Sequence, residues 1–259
     1  MPTFSTADFQ LARRLESAEA ANAFSLAAGS AEAEAFFGGC ALFGGVGSPL
    51  THALGIGMEG PAGDAEFDRM EEFFRSRGSA SLIDLCPLSH PTFLEQISRR
   101  GYKVIELNNL MLRQPEVLPE VPCDGRIARC DAARHEEWMH LMMRGFSEGH
   151  DPSPEMLTLA GTMPAVDYEF IVELNGRPAG GAALAILGDI AMLFGDSTLP
   201  EARGHGIQQA LIQHRLAIAA REGCEWAMAT VIPGSGSHRN YERQGFGFFY
   251  MRVNVMREW

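Results

Sequence analysis

Residues 190–223 read IAMLFGDSTLPEARGHGIQQALIQHRLAIAAREG, and the reading of this stretch decides the fold. An apolar run ends at Thr198-Leu199-Pro200, and a short loop follows with Arg203, Gly204, His205, Gly206, Ile207 and Gln208. A helix opens around Gly204. Gly204 and Gly206 let the backbone approach a ligand closely. The first helical turn then points unpaired N–H groups, and the positive end of its dipole, at whatever sits there. Arg203 adds a charge suited to phosphate oxygens. The ligand this chemistry suits is a pyrophosphate. In the helix, Ile207, Ala210, Leu211, Ala217 and Ile218 fall on one face, and Gly223 stands where a helix-ending glycine belongs. A lone glycine-rich loop fits a structural turn equally well. The strand before it, the arginine beside it and the helix after it favour the anion site.

The segment Arg203-Gly204-His205-Gly206-Ile207-Gln208, preceded by Leu199-Pro200-Glu201-Ala202, resembles the acetyl-CoA loop of the GNAT acetyltransferases. That pattern is Arg or Gln, two residues, Gly, one residue, then Gly or Ala. Arg203 and Gly206 match it, and Gln208 replaces the last small residue. Downstream, Tyr241-Glu242-Arg243-Gln244-Gly245-Phe246 resembles the helix end that carries the family's usual tyrosine. The resemblance covers residues 126–258, about half the chain. It implies an acetyl-CoA-dependent N-acetyltransferase with no metal. Backbone groups of Ser197, Thr198 and Leu199 would bond the pantetheine arm, one N–H facing the thioester oxygen. Residues Arg203 to Gln208 would hold the pyrophosphate, and Tyr241 would be the general acid toward the CoA thiolate. Where the family often has an asparagine, seven residues before the tyrosine, this chain has Gly234, and Ser235, Ser237 or Asn240 would substitute.

Composition sets the outer limits. At 259 residues, one large domain or two small ones is expected, and 46% hydrophobic content is ample for a core. A net charge of −12 argues against nucleic acid and against anionic membrane, and suits a cationic or amine substrate. The five cysteines show no paired spacing, which reads as a reduced, cytoplasmic chain. Residues 1–30 contain acidic residues and no uninterrupted apolar core, unlike a signal sequence. No apolar run is long enough to cross a bilayer.

Along the chain, residues 7–28 read as a helix. Residues 36–47 (FFGGCALFGGVG) read as strands with glycine turns, not a phosphate loop, because no helix start follows. A strand at 51–58, a helix at 64–77, a strand at 80–86, a helix at 91–100 and a strand at 103–112 follow. Residues 114–125 hold three prolines and read as a linker. The second half begins with a strand at 126–129 and a helix at 131–146 capped by Asp131. Residues 147–164 are polar and irregular, with a short helix near 154–160. Two strands, 168–174 and 177–187, form a hairpin around Asn175-Gly176. After the motif come a strand at 226–231, a short helix at 238–244 and a last strand at 246–256.

The halves repeat. Arg99-Arg100-Gly101-Tyr102 answers Arg243-Gln244-Gly245-Phe246, and Gly60 stands 41 residues before Gly101 as Gly204 does before Gly245. The expected architecture is α/β: two tandem GNAT-like units, each a mixed central sheet flanked by helices, at residues 1–118 and 125–259. The N-terminal copy reads as degenerate. Its loop is Glu59-Gly60-Pro61-Ala62-Gly63-Asp64, whose acids would repel a pyrophosphate, and Ile97 stands where Tyr241 does.

For the general base, Asp196, Glu169 and Glu173 are candidates, each also readable as a paired or solvated carboxylate. His205 reads as facing solvent or phosphate, His214 as packing, and His238 as able to approach CoA; a water chain would serve instead. His135 and His140 are five apart, not the four of a zinc-protease helix, and Gly234-Ser235-Gly236-Ser237 lacks the context of a nucleophile elbow. Two further readings stay open: a non-catalytic acyl-CoA-binding or sensing module, and an enzyme acylating a peptide or aminoacyl acceptor. These residues name neither the acceptor nor the oligomeric state.

Overall fold

A computed structural model describes residues 8–27, 32–48, 50–119, 122–152 and 165–259. The short helix expected near 154–160, and the outermost ends of the expected 7–28 helix, lie outside the described residues. The strands are β1 (Glu32–Phe36), β2 (Gly39–Phe43), β3 (His52–Leu54), β4 (Ser81–Leu85), β5 (Lys103–Arg113), β6 (Arg126–Arg129), β7 (Tyr168–Leu174), β8 (Arg177–Leu187), β9 (Ile190–Thr198), β10 (Trp226–Val231) and β11 (Gly247–Arg257). The helices are α1 (Phe9–Ala27), α2 (Asp64–Arg75), α3 (Thr92–Arg100), α4 (His135–Phe146), α5 (Ile207–Arg221) and α6 (Gly236–Arg243). No described helix is long and apolar enough to cross a membrane.

The chain divides into two compact units. One ends at Leu110 and takes in Phe249–Trp259; the other contains Met111–Phe248. The sequence boundaries kept the last strand with the C-terminal half, whereas the structure gives most of β11 to the N-terminal unit. The reason is long-range pairing: Val253 to Arg257 run antiparallel to Leu85 to Ser81 of β4, a partner no local pattern names.

In the N-terminal unit, β1, β2 and β3 pair antiparallel in sequence order, β3 and β4 pair parallel, and β4 meets β11 antiparallel. Phe37 and Gly38, both at positive φ, close the β1–β2 turn. Alternation along the strands sends side chains to two cores. Ala41 and Ala53 join Phe67, Phe74, Phe93 and Ile97 of α2 and α3. Cys40, Leu42 and Leu54 join Ala20 and Ala23 of α1. The expected strand at 51–58 shrinks to three residues because Gly55 and Gly57 turn to positive φ.

A charged cluster lies inside this unit. Arg252 on β11 and Glu16 on α1 are each 1% exposed. The guanidinium donates to Glu16 Oε1 at 2.8 Å and lies 2.6 Å from Glu19 Oε2, while the Tyr250 hydroxyl also donates to Glu16. Burial pushes the Glu16 carboxyl up, against the pull of Arg252. The cluster ties the first helix of the chain to its last strand.

In the C-terminal unit, β6, β7, β8 and β9 form an antiparallel run, and β10 adds parallel to β9. The β7–β8 turn is Asn175-Gly176, with φ +52 and +75, the geometry that dipeptide favours. Helix α4 starts after a 3-10 turn, Ala132–Arg134, capped by Asp131 Oδ1 accepting from Ala133 N at 3.1 Å and Arg134 N at 3.2 Å. Helices α4 and α5 both pack on β8 and β9. Ser197 faces α4, its hydroxyl donating to Leu141 O at 3.3 Å, and its neighbour Asp196 faces α5, as successive strand residues must.

Removing the Arg252 guanidinium leaves Glu16 and Glu19 without their buried counter-charge. Arg252→Met is expected to cost about 3–5 kcal/mol in urea unfolding. Glu16→Gln, which mimics the protonated acid, is expected to cost clearly less, and equal losses would mean the charge balance is unimportant.

Candidate active site

The site starts where β9 leaves β10. The parallel pairing covers Ile190, Ala191 and Met192 against Trp226, Ala227 and Met228 and goes no further. On its other edge β9 stays paired with β8 as far as Thr198, with a register shift between Gly181 and Ala183. Gly195, at φ +64, lies in that shift. The bulge increases the local twist of β9. From Leu193 onward its β10-facing edge has no ladder partner.

The strand then delivers the loop. Pro200–Ala202 form a 3-10 turn, and Gly204 and Gly206 take φ of +86 and +72. Gly206 is the N-cap of α5, and no side chain caps the helix. Ala210 N–H bonds Gly206 O at 3.0 Å, so the N–H groups before it have no intrahelical acceptor. A Cβ on Gly206 would meet Pro122 O at 2.3 Å, whereas one on Gly204 would meet nothing within 4 Å. The loop therefore packs on residue 122 at one glycine and is open at the other.

The residues singled out from sequence are placed as follows. Arg203 is half-exposed and ion-pairs Glu148 at 2.8 Å. His205 Nδ1 lies 2.8 Å from Asp124 Oδ2. Ile207 is buried at the start of α5. The Gln208 side-chain amide donates to Ser237 Oγ at 2.8 Å and accepts from Asn240 Nδ2 at 2.7 Å. These three residues thus bind α5 to α6. Ser197 and Thr198 pair with Gly181 and Gly180 of β8. Leu199 departs from expectation: its N–H donates to Ala179 O at 2.9 Å, so it has none to offer a pantetheine arm. Gly234 donates its N–H to His238 Nδ1 at 3.0 Å, which turns that histidine to the loop's own backbone.

Tyr241 on α6 is 1% exposed, and its ring meets Phe246 edge-on at 4.9 Å. Its hydroxyl donates to Asp196 Oδ2 at 2.7 Å. Burial, and then the Asp196 carboxylate, push the phenol well above its ordinary range, so it holds its proton at neutral pH.

The carboxylates considered as bases are paired. Asp196 binds Tyr241 and Arg215. Glu169 is buried, 2.9 Å from His135 Nδ1, and accepts from Val166 N at 3.0 Å. Glu173 accepts from Arg126 at 2.7 Å and Arg134 at 3.0 Å, and the Arg126 bond holds it below the usual carboxylate range. His214 packs edge-on against Phe170 at 4.9 Å, and burial lowers it. Among the described residues no cluster of His, Cys, Asp or Glu could hold a metal ion.

Sequence reading missed Arg215. It is 0% exposed, on the inner face of α5, four residues after Leu211. Ala217, placed on that face from sequence, is only half-buried. The signal was there: Ile207, Leu211 and Arg215 recur every four residues, so an arginine falls on an apolar row.

The parallel strands of a mixed sheet thus part above a glycine turn and a helix start that no side chain caps, within an α/β unit of the kind the resemblance led one to expect. Residues 135–246 match the acetyltransferase (GNAT) family, so this part of the chain is a GNAT domain. The match does not extend over the N-terminal unit. Among solved structures, the chain is similar to a GCN5-related N-acetyltransferase from Kribbella flavida, at 19% identity and TM-score 0.71, over 96% of each chain. It is also similar to a tandem GNAT protein from the clavulanic acid biosynthesis pathway, at 12% identity and TM-score 0.61, over 98% of this chain and 97% of that one. These likenesses show the mixed α/β fold with helices flanking its central sheet. No curated protein matches the chain by sequence.

The glycine contacts predict an order of effects. Both Gly204→Ala and Gly206→Ala incur left-handed backbone strain of about 1–2 kcal/mol. Only Gly206→Ala also drives a Cβ into the Pro122 carbonyl, so its thermal midpoint is expected to fall further. Equal midpoints would show that the loop does not rest on residue 122.

Proposed function

We propose that the C-terminal unit is an acetyl-CoA-dependent N-acetyltransferase that acetylates the amine of a small-molecule or amino-acid-like acceptor, by direct attack in a ternary complex in the cytoplasm. The observation that carries this reading is the β9 edge freed after Met192, leading straight into an uncapped helix start inside a GNAT domain.

The residues present fit acetyl-CoA. The free N–H groups at the start of α5, the open space at Gly204 and the Arg203 guanidinium suit a pyrophosphate. Arg203 would exchange Glu148 for phosphate oxygens, a favourable trade because both partners of the present pair are solvent-exposed. Backbone groups of Ser197 and Thr198 lie on the freed strand and would meet the pantetheine arm. Acetyl-CoA would bring an activated acyl thioester. Tyr241 would offer its phenolic proton to the departing sulfur, and its raised pKa keeps that proton in place until then. The acceptor nitrogen would lose its proton to water, since the nearby carboxylates are already paired.

We read the N-terminal unit as a degenerate copy. At its matching loop Glu59 pairs with Arg13 at 2.6 Å, Asp64 accepts from Gln96 at 2.6 Å, and Ile97 is part of the apolar core. Acids there disfavour a second pyrophosphate.

One observation favours a non-catalytic acyl-CoA-binding module instead: the Tyr241 hydroxyl is committed to Asp196. Two substitutions separate the readings. Arg203→Glu is expected to weaken acetyl-CoA binding about a hundredfold or more in calorimetric titration, a loss of roughly 2.7 kcal/mol. Unchanged affinity would remove the loop from the site. Tyr241→Phe is expected to lower thiol release on an amine panel about 10²-fold with little change in acetyl-CoA affinity. Tight binding with no turnover by the wild type would support the module.

A further inference from the structure

Arg215 sits against the defect in the sheet. Its Nη1 donates to Ala183 O at 2.9 Å and Phe194 O at 3.2 Å, its Nε to Leu211 O at 3.1 Å, and its Nη2 to Asp196 Oδ1. Ala183 and Phe194 are the ladder pair that borders the register shift. At a bulge the ladder is locally disrupted, and here a side chain from the helix brings donors to the strand carbonyls. The same guanidinium fixes one oxygen of Asp196, and the other oxygen accepts from Tyr241. Three elements, β9, α5 and α6, are therefore joined by one buried chain: Arg215, Asp196, Tyr241.

We propose that Arg215 is a positioning residue for acyl transfer, holding the β9 bulge and, through Asp196, the direction of the Tyr241 hydroxyl. This rests on the reading of Tyr241 as proton donor. A single carboxylate beside a buried phenol would hold the proton too firmly for it to be handed on. Arg215 offsets that charge, so the O–H can break from Asp196 without leaving a lone buried anion. Burial and Asp196 raise the phenol, and Arg215 works in the opposite direction. Asp196 and Arg215 are the titratable groups that hydrogen bonding and charge bring to Tyr241 from β9 and α5. Arg215 itself would touch neither acyl group nor amine.

The first arm of the test needs no acceptor. Tyrosinate absorbance is followed through alkaline titration, each protein being compared with its own Tyr241→Phe variant to isolate one tyrosine among four. Asp196→Asn, which keeps the shape and removes the charge, is expected to lower the Tyr241 midpoint by about one to three pH units. An unchanged midpoint would overturn the chain. Next, Arg215→Met combined with Asp196→Asn avoids a stranded charge. With circular dichroism like that of the wild type and acetyl-CoA affinity within about threefold, its kcat is expected to fall about 10²-fold and its KM little. Arg215→Lys, which reaches the carboxylate but lacks the fork for both carbonyls, is expected to recover part of that loss. Wild-type kcat in the double variant would overturn the positioning role. If it does not fold, Asp196→Asn decides by the midpoint alone. No turnover by the wild type on any amine would sink the acetyltransferase reading, while the titration would still report on the Arg215–Asp196–Tyr241 chain.

Discussion

The C-terminal unit depends on the place where β9 stops pairing with β10. Three parallel pairs hold the strands together, and beyond Met192 they part. A freed strand edge exposes backbone donors and acceptors that a regular sheet would consume. In most proteins such an edge is a liability. Here it leads within a few residues to two left-handed glycines and a helix start with no side-chain cap. Two sets of unpaired backbone groups, one on a strand and one on a helix, therefore lie close along the chain. A helix start favours anions and a free strand edge favours peptide-like groups, which is the physical basis of the acetyl-CoA reading proposed above.

The two units carry similar buried trios in different places. In the N-terminal unit Arg252, Glu16 and Tyr250 join the first helix to the last strand. In the C-terminal unit Arg215, Asp196 and Tyr241 join the bulged strand to two helices. Both place an arginine out of water, where carboxylates balance its charge: Glu16 and Glu19 for Arg252, and Asp196 for Arg215, which also donates to three carbonyls. The difference is position. Asp196 lies on the strand that opens, at the bulge, whereas Glu16 lies on a helix packed over β1 to β3.

Much of this was legible from residues alone. Asn175-Gly176 specified its hairpin, Asp131 its cap and Gly223 its helix end, because each rests on a local dihedral or a hydrogen bond a few residues away. The glycine turns at Gly204 and Gly206 were legible for the same reason. The partners of Asp196, Glu169 and Glu173 were not, since a carboxylate in a sequence does not say which arginine or histidine will face it. Ser237 and Asn240 were read as groups near the thiol, and they turn out to engage Gln208. The Leu199 N–H was read as free, and its acceptor is a carbonyl of the neighbouring strand.

The sequence by itself determined the order of strands and helices, the glycine turns, the uncapped helix start and the repeat of one ending in two halves. Those follow from periodicity, from φ preferences and from short-range capping, which act within a turn or two of chain. Tertiary structure alone decided that residues 249–259 complete the N-terminal unit, and that an arginine on an apolar helix row finds a bulge, an aspartate and a tyrosine. Those outcomes depend on strand register and on burial. Register is set by which distant edge is left unpaired, and a charge can stay buried only where the assembled fold supplies its partners.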